Sequence, residues 1–174
     1  MWSKRDEAGL NLEYALCLKD YFENFDFNVV LTRTNSNGLY GAFAKNKKKD
    51  DMLARKKIIE NSNADVVLSI HMNSFATSSA KGCQAFYDKS SESGKQLAEC
   101  VQQQLQKDME NAKSSAAEGD YYILNCTDTP SVLVECGFLS NPQEDQLICS
   151  EDYKSTLCYS IFCAIVTYFG IENI

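Results

Sequence analysis

The stretch Asp65-Val66-Val67-Leu68-Ser69-Ile70-His71-Met72-Asn73-Ser74 decides how this chain is read. Residues 66–70 are apolar or small, and two of them are β-branched valines. A run of that length and composition reads as a strand buried on both faces in the middle of a parallel sheet. It ends on His71, the single histidine in 174 residues. In open α/β sheets ligands gather outside the carboxyl ends of the strands, so the imidazole stands where a ligand or a catalyst belongs. Taken alone, a histidine at a strand end is more often a satisfied polar group. A second run of the same kind, Ser131-Val132-Leu133-Val134-Glu135, ends on a carboxylate and is followed by Cys136-Gly137-Phe138. A carboxylate in such apolar company is rare unless it is paired or bound to a metal. One strand ending in His and another in Glu point to a shared site on one rim of a sheet.

Around these two strands the pattern alternates with helices. Leu10, Tyr14, Cys17, Leu18, Tyr21 and Phe22 recur at helical spacing and predict a helix ending near Asn24. Residues 27–32 predict a strand and residues 33–49 a loop. The pair Asp50-Asp51 sits where a helix should begin, which suits the helix dipole, and that helix runs to about Asn61. Residues 75–81 read as a loop, 82–87 as a strand and 91–109 as a long helix. A polar loop over 111–120 leads to a short strand over 121–124. After the strand to Glu135, Asn141-Pro142 starts a short helix, with Pro suited to its first turn. Residues 153–169 form a last, well-buried helix. The alternation predicts an α/β fold: one domain, with a mostly parallel twisted sheet and helices on both faces.

The chain is long enough for one domain with a sizeable core. With 44% apolar residues, disorder is excluded. A net charge of −7 argues against nucleic acid as a partner, since phosphate binding needs a basic face. The four lysines within residues 45–49 are followed at once by Asp50-Asp51 and read as a solvated loop. The chain has no secretory apolar segment and no run of about 18 apolar residues, so no membrane span is expected in it. Eight cysteines, at 17, 83, 100, 126, 136, 149, 158 and 163, include no C-x-x-C pair. Several fall inside helical apolar patterns and read as small buried hydrophobes rather than a disulfide framework. Arg33 and Arg55 read as partners for acidic side chains in preference to contacts for an anionic ligand.

Three segments together carry a resemblance: Val29-Val30-Leu31-Thr32-Arg33; Ala64-Asp65 through Ser69-Ile70-His71-Met72-Asn73-Ser74; and Pro130-Ser131-Val132-Leu133-Val134-Glu135-Cys136-Gly137-Phe138-Leu139-Ser140-Asn141-Pro142. In order and spacing they resemble zinc-dependent N-acetylmuramoyl-L-alanine amidases of the Amidase_3 family. Residues 82–87, 91–105 and 121–124 resemble most the branch that trims spore-cortex peptidoglycan. The resemblance implies Zn2+ held by His, Glu and His, with a second Glu as catalyst. It places one ligand on His71 and the catalyst on Glu135. The Glu ligand, shortly before Leu10-Asn11-Leu12, falls on Glu7, with Glu13 as the rival. Asn73 and Ser74 would orient His71 or substrate, or else cap the strand end. The family's other histidine lies in a Gly-rich loop after a first strand, and residues 1–4 stand in that loop region. The expectation is therefore of an amidase catalytic domain over 1–174 that lacks this first strand and its Gly-His loop. The resemblance also implies peptidoglycan as substrate, an extracytoplasmic setting at the cell wall or spore envelope, and room for an activating protein partner. Two rivals stay open: an inactive peptidoglycan-binding fragment, and a zinc peptidase acting on stem peptides.

Overall fold

The computed structural model describes residues 6–171, so the expectation for residues 1–4 lies outside the described residues. The strand at the centre is the second apolar run, not the first. In chain order the elements are α1 (Glu7–Glu23), α2 (Lys47–Ser62), β1 (Val67–Asn73), β2 (Gln84–Tyr87), α3 (Glu92–Asp108), β3 (Ala117–Glu118), α4 (Tyr122–Asn125), β4 (Ser131–Phe138), α5 (Pro142–Ile148) and α6 (Glu151–Tyr168). The sheet runs β1-β4-β2-β3. β1 pairs parallel with β4 and β2 parallel with β3, while β2 and β4 are antiparallel. The expected α/β class, single domain and mostly parallel sheet therefore hold.

All eight residues of β4 are buried. Val132, Val134 and Cys136 alternate into a core shared with Tyr14 of α1, Leu97 and Val101 of α3, and Phe162 of α6. The intervening Leu133 and Glu135 face the other side, where α4 lies against β4. β1, expected to be buried on both faces, is half-buried at every position except Met72. The reason is its place in the order: among the described residues it is a sheet edge, with β4 on one side only. Its other side opens on a groove of about 1380 Å3 whose walls include Val67, Leu68, Val29 and Leu31.

Several expected elements are corrected. Residues 27–32 form no strand ladder. They run along the far wall of the groove, with no strand beside them to pair with among the described residues. Residues 122–125 form one helical turn rather than a strand, because an apolar run of four carries too little periodicity to tell the two apart. The lysines at 47–49 lie in the first turn of α2 rather than in a loop, with Asn46 Oδ1 accepting from Lys49 N at 3.1 Å. A two-residue strand, β3, interrupts the expected loop over 111–120. No helix among the described residues is long and apolar enough to cross a membrane.

The end of β4 is shaped by a bulge. His71 pairs with Glu135 but Asn73 pairs with Phe138, so two residues of β4 oppose one of β1. Gly137 makes this possible: its φ is +150°, and a Cβ there would meet Ile148 Cδ1 at 3.0 Å. The glycine serves inside the strand. Beyond it, Glu144 of α5 accepts from Phe138 N at 2.9 Å, Gly82 N at 2.8 Å and Asn111 Nδ2 at 2.7 Å. Tyr153 adds a bond from its hydroxyl to Cys136 O at 2.7 Å. These bonds fix the rim on which the candidate site stands.

Candidate active site

His71 and Glu135 are register partners on adjacent parallel strands, so their side chains leave the sheet on the same face. The bulge follows directly after them, where bulges commonly re-aim side chains. Glu7 arrives from the first turn of α1. That helix starts three residues earlier than the spacing predicts, because Asp6 caps it: Asp6 Oδ1 accepts from Ala8 N at 3.2 Å.

Glu7 Oε1 lies 3.2 Å from His71 Nδ1 and accepts from Asn11 Nδ2 at 3.1 Å. The bond with His71 is the largest cause holding the Glu7 carboxyl below its usual range, opposed by burial. Arg33 donates from Nη2 to Ala8 O at 2.5 Å and from Nη1 to Asn35 O at 2.7 Å, pinning the first turn of α1. Arg55 pairs with Asp51 at 2.6 Å, as expected. Arg33 bonds backbone carbonyls instead of an acid. Glu13, the rival to Glu7, is exposed and acts electrostatically on Lys154 of α6, away from His71.

Glu135 is 7% exposed. Its Oε2 is buried without a hydrogen-bond partner. Burial pushes its carboxyl up to about 7, the nearby Glu7 adds to the rise, and His71 opposes it. The site is thus a solvent-facing Glu7–His71 contact, with side chains 48% and 40% exposed, beside a sequestered acid. Among the described residues no set of three or more His, Cys, Asp or Glu side chains forms a complete metal cage. Asn73 enters through its backbone, accepting from Leu139 N at 2.8 Å.

Three contributors were missed by sequence reasoning. Asn11 reaches Glu7 from one helical turn away; the Glu7-x-x-x-Asn11 spacing is the signal that finds it. Gln84 is the antiparallel partner of Glu135, so His71, Glu135 and Gln84 form a row across the sheet. Burial raises the Tyr121 hydroxyl, and the nearby Glu135 charge adds to the rise.

A rim where an imidazole, an exposed carboxylate and a buried acid meet suits metal-assisted hydrolysis. The family described as N-acetylmuramoyl-L-alanine amidase matches residues 2–167. The chain belongs to that family. A germination-specific N-acetylmuramoyl-L-alanine amidase of Bacillus subtilis is 32% identical over 168 residues, covering 94% of this chain and 70% of its own length. Among solved structures, the CwlD amidase of Clostridioides difficile in complex with the GerS lipoprotein superposes with a TM-score of 0.91 at 33% identity, covering 97% of this chain and 89% of that one. An N-acetylmuramoyl-L-alanine amidase from Clostridium difficile 630 gives 0.86 at 28%, covering 98% and 88%. The family match agrees with the resemblance drawn from the three motifs, and the germination-specific relative agrees with the spore-cortex branch suggested by residues 82–87, 91–105 and 121–124.

Proposed function

We propose that this chain hydrolyses the amide between N-acetylmuramic acid and L-alanine in peptidoglycan, with Glu7 and His71 as ligands of a zinc ion and Glu135 as the acid–base group. The observation that carries the reading is the Glu7–His71 contact standing beside the unpartnered Glu135 Oε2. The donors fit the ion. Nitrogen and oxygen ligands on a tetrahedral zinc, with bonds near 2.0–2.1 Å, sit about 3.3 Å apart; Nδ1 and Oε1 are 3.2 Å apart. When bound, zinc supplies Lewis acidity, polarising a carbonyl and acidifying water.

The remaining roles belong to the protein. Asn11 holds Glu7 in place, as a partner behind a ligand commonly does. Glu135, poised near 7, takes the proton of the attacking water on its free Oε2 and returns it to the departing L-alanine nitrogen. Its burial keeps that exchange away from bulk solvent. The work would be done outside the cytoplasm, at the cell wall or spore envelope. The similarity to the germination-specific relative supports spore peptidoglycan as substrate. The solved complex of a similar amidase with a lipoprotein supports a protein partner.

Digestion of purified sacculi with the zinc-loaded chain, followed by mass analysis, tests the reading. It expects stem peptides with a free N-terminal L-alanine, and none with His71→Ala. Cuts inside the stem peptide would point to the peptidase reading. Sacculi that bind the chain and release nothing would point to the binding fragment.

A further inference from the structure

The interface between α1 and α6 contains two cysteines that the site does not use. Cys158 Sγ lies 3.6 Å from Tyr14 O, on the face of α1 where Cys17 sits one turn further on. One turn beyond that, the Tyr21 hydroxyl bonds Ser155 Oγ at 3.0 Å, and its ring packs on Tyr159 and Phe162 with centroids 5.6 and 6.0 Å away. Cys17 is therefore bracketed by contacts to α6 on both sides, and Cys158 is the largest influence on its thiol. Cys158 is fully buried, whereas Cys17 is half-exposed.

We infer that Cys17 and Cys158 form a thiol-exchange site, in which Cys17 takes up half of an external disulfide and Cys158 resolves it into a cross-link between α1 and α6. In the first step the Cys17 thiolate bonds one sulfur of the external disulfide, that S–S bond breaks, and the other half leaves as a thiolate. In the second, the Cys158 sulfur bonds Cys17 Sγ, its proton passing to a leaving thiolate, and the mixed disulfide breaks. Two protein thiols are oxidised and one external disulfide is reduced to two thiols. The order follows from access and charge. Cys17 is partly exposed, and Cys158, with Lys154 nearby, draws its thiol down to about 7 against burial, Asp20 and Glu151. Burial instead pushes Cys83, Cys100, Cys126 and Cys136 up. Cys158 Sγ already lies against the turn of α1 that carries Cys17, so side-chain rotation is what brings the two sulfurs to bonding geometry. The product ties the helix that carries Glu7 to the last helix of the chain.

The full chain is treated with oxidised glutathione and read by intact mass, thiol titration and non-reducing peptide mapping. The expected result is loss of two of the eight thiols, no retained glutathione, a linked Cys17–Cys158 peptide pair, and full reversal by dithiothreitol. Cys158→Ser should keep one glutathione on Cys17, and Cys17→Ser should show neither adduct nor cross-link. Glutathione retained by the wild-type chain, oxidation mapping to another pair, or no reaction in the folded state overturns the inference. A limiting dose of iodoacetamide on the wild-type chain gives a check that needs no variant: Cys17 should be labelled ahead of every other cysteine, and earlier labelling elsewhere contradicts the site.

Discussion

A carboxyl group sealed from solvent with one oxygen bonded to nothing is costly as an anion, and Glu135 is such a group. Its folded value of about 7 stands above its ordinary 4.5. The sign follows: the protonated form is the one the fold favours, so stability is full at low pH and is lost as pH climbs from about 4.5 through about 7. In the metal-free chain, Glu135→Gln should therefore be more stable than wild type above pH 7, by up to about 3 kcal/mol, with the gap closing towards pH 5. Chemical denaturation in chelator at several pH values measures this. An unchanged difference across the range would mean that Glu135 is solvated. In the zinc-loaded chain the same variant should lose roughly 100- to 10,000-fold in kcat while keeping its metal. Asn11 is tested by affinity: Asn11→Ala should weaken zinc binding roughly 10- to 100-fold, read by competition with a chelating dye. His71 and Glu135 stood out at strand ends and Glu7 came from the family resemblance; the structure sets Glu7 Oε1 3.2 Å from His71 Nδ1. Gln84 was not, since its place beside Glu135 depends on an antiparallel pairing that no local pattern announces.

At the scale of elements, β1 shows how burial depends on neighbours as well as composition. Its apolar run reads as a strand enclosed on both sides, yet among the described residues it pairs on one side only. Val67 N donates to Pro130 O at 2.9 Å, and in a parallel ladder alternate residues turn their amides to the same side. The amides of Ser69 and His71 then point to β4, and those of Leu68 and Ile70 point into the groove. Hydrogen exchange resolved by residue should find Leu68 and Ile70 faster than Ser69 and His71. Equal protection of all four would show that the groove edge is covered. The same open groove explains why residues 27–32 keep a strand-like sequence without a ladder. The short helix at Tyr122–Asn125 had a different cause: four residues cannot display a period. The long helices were legible because their apolar stripes run over several turns, with only their starts moved by the caps at Asp6, Asn46 and Ser150.

At the scale of the whole molecule, the site's third side chain depends on α1 being docked on α6. Phe162 sits at that junction, fully buried, with ring centroids 5.4 Å from Phe22, 4.8 Å from Phe25 and 6.0 Å from Tyr21. Phe162→Ala should cost about 3–5 kcal/mol, seen as a lower melting midpoint at roughly 2–4 °C per kcal/mol for a chain of this size. Since α1 brings Glu7, zinc affinity should fall along with stability. The most direct test of the account is where zinc binds. A crystal of the zinc-loaded chain, measured at the zinc absorption edge, should show one anomalous peak within about 2.0–2.2 Å of both His71 Nδ1 and a Glu7 oxygen, with the Glu135 carboxylate close by but not bound to it. A peak coordinated by Glu135 in place of Glu7, or a zinc held elsewhere on the molecule, would contradict it.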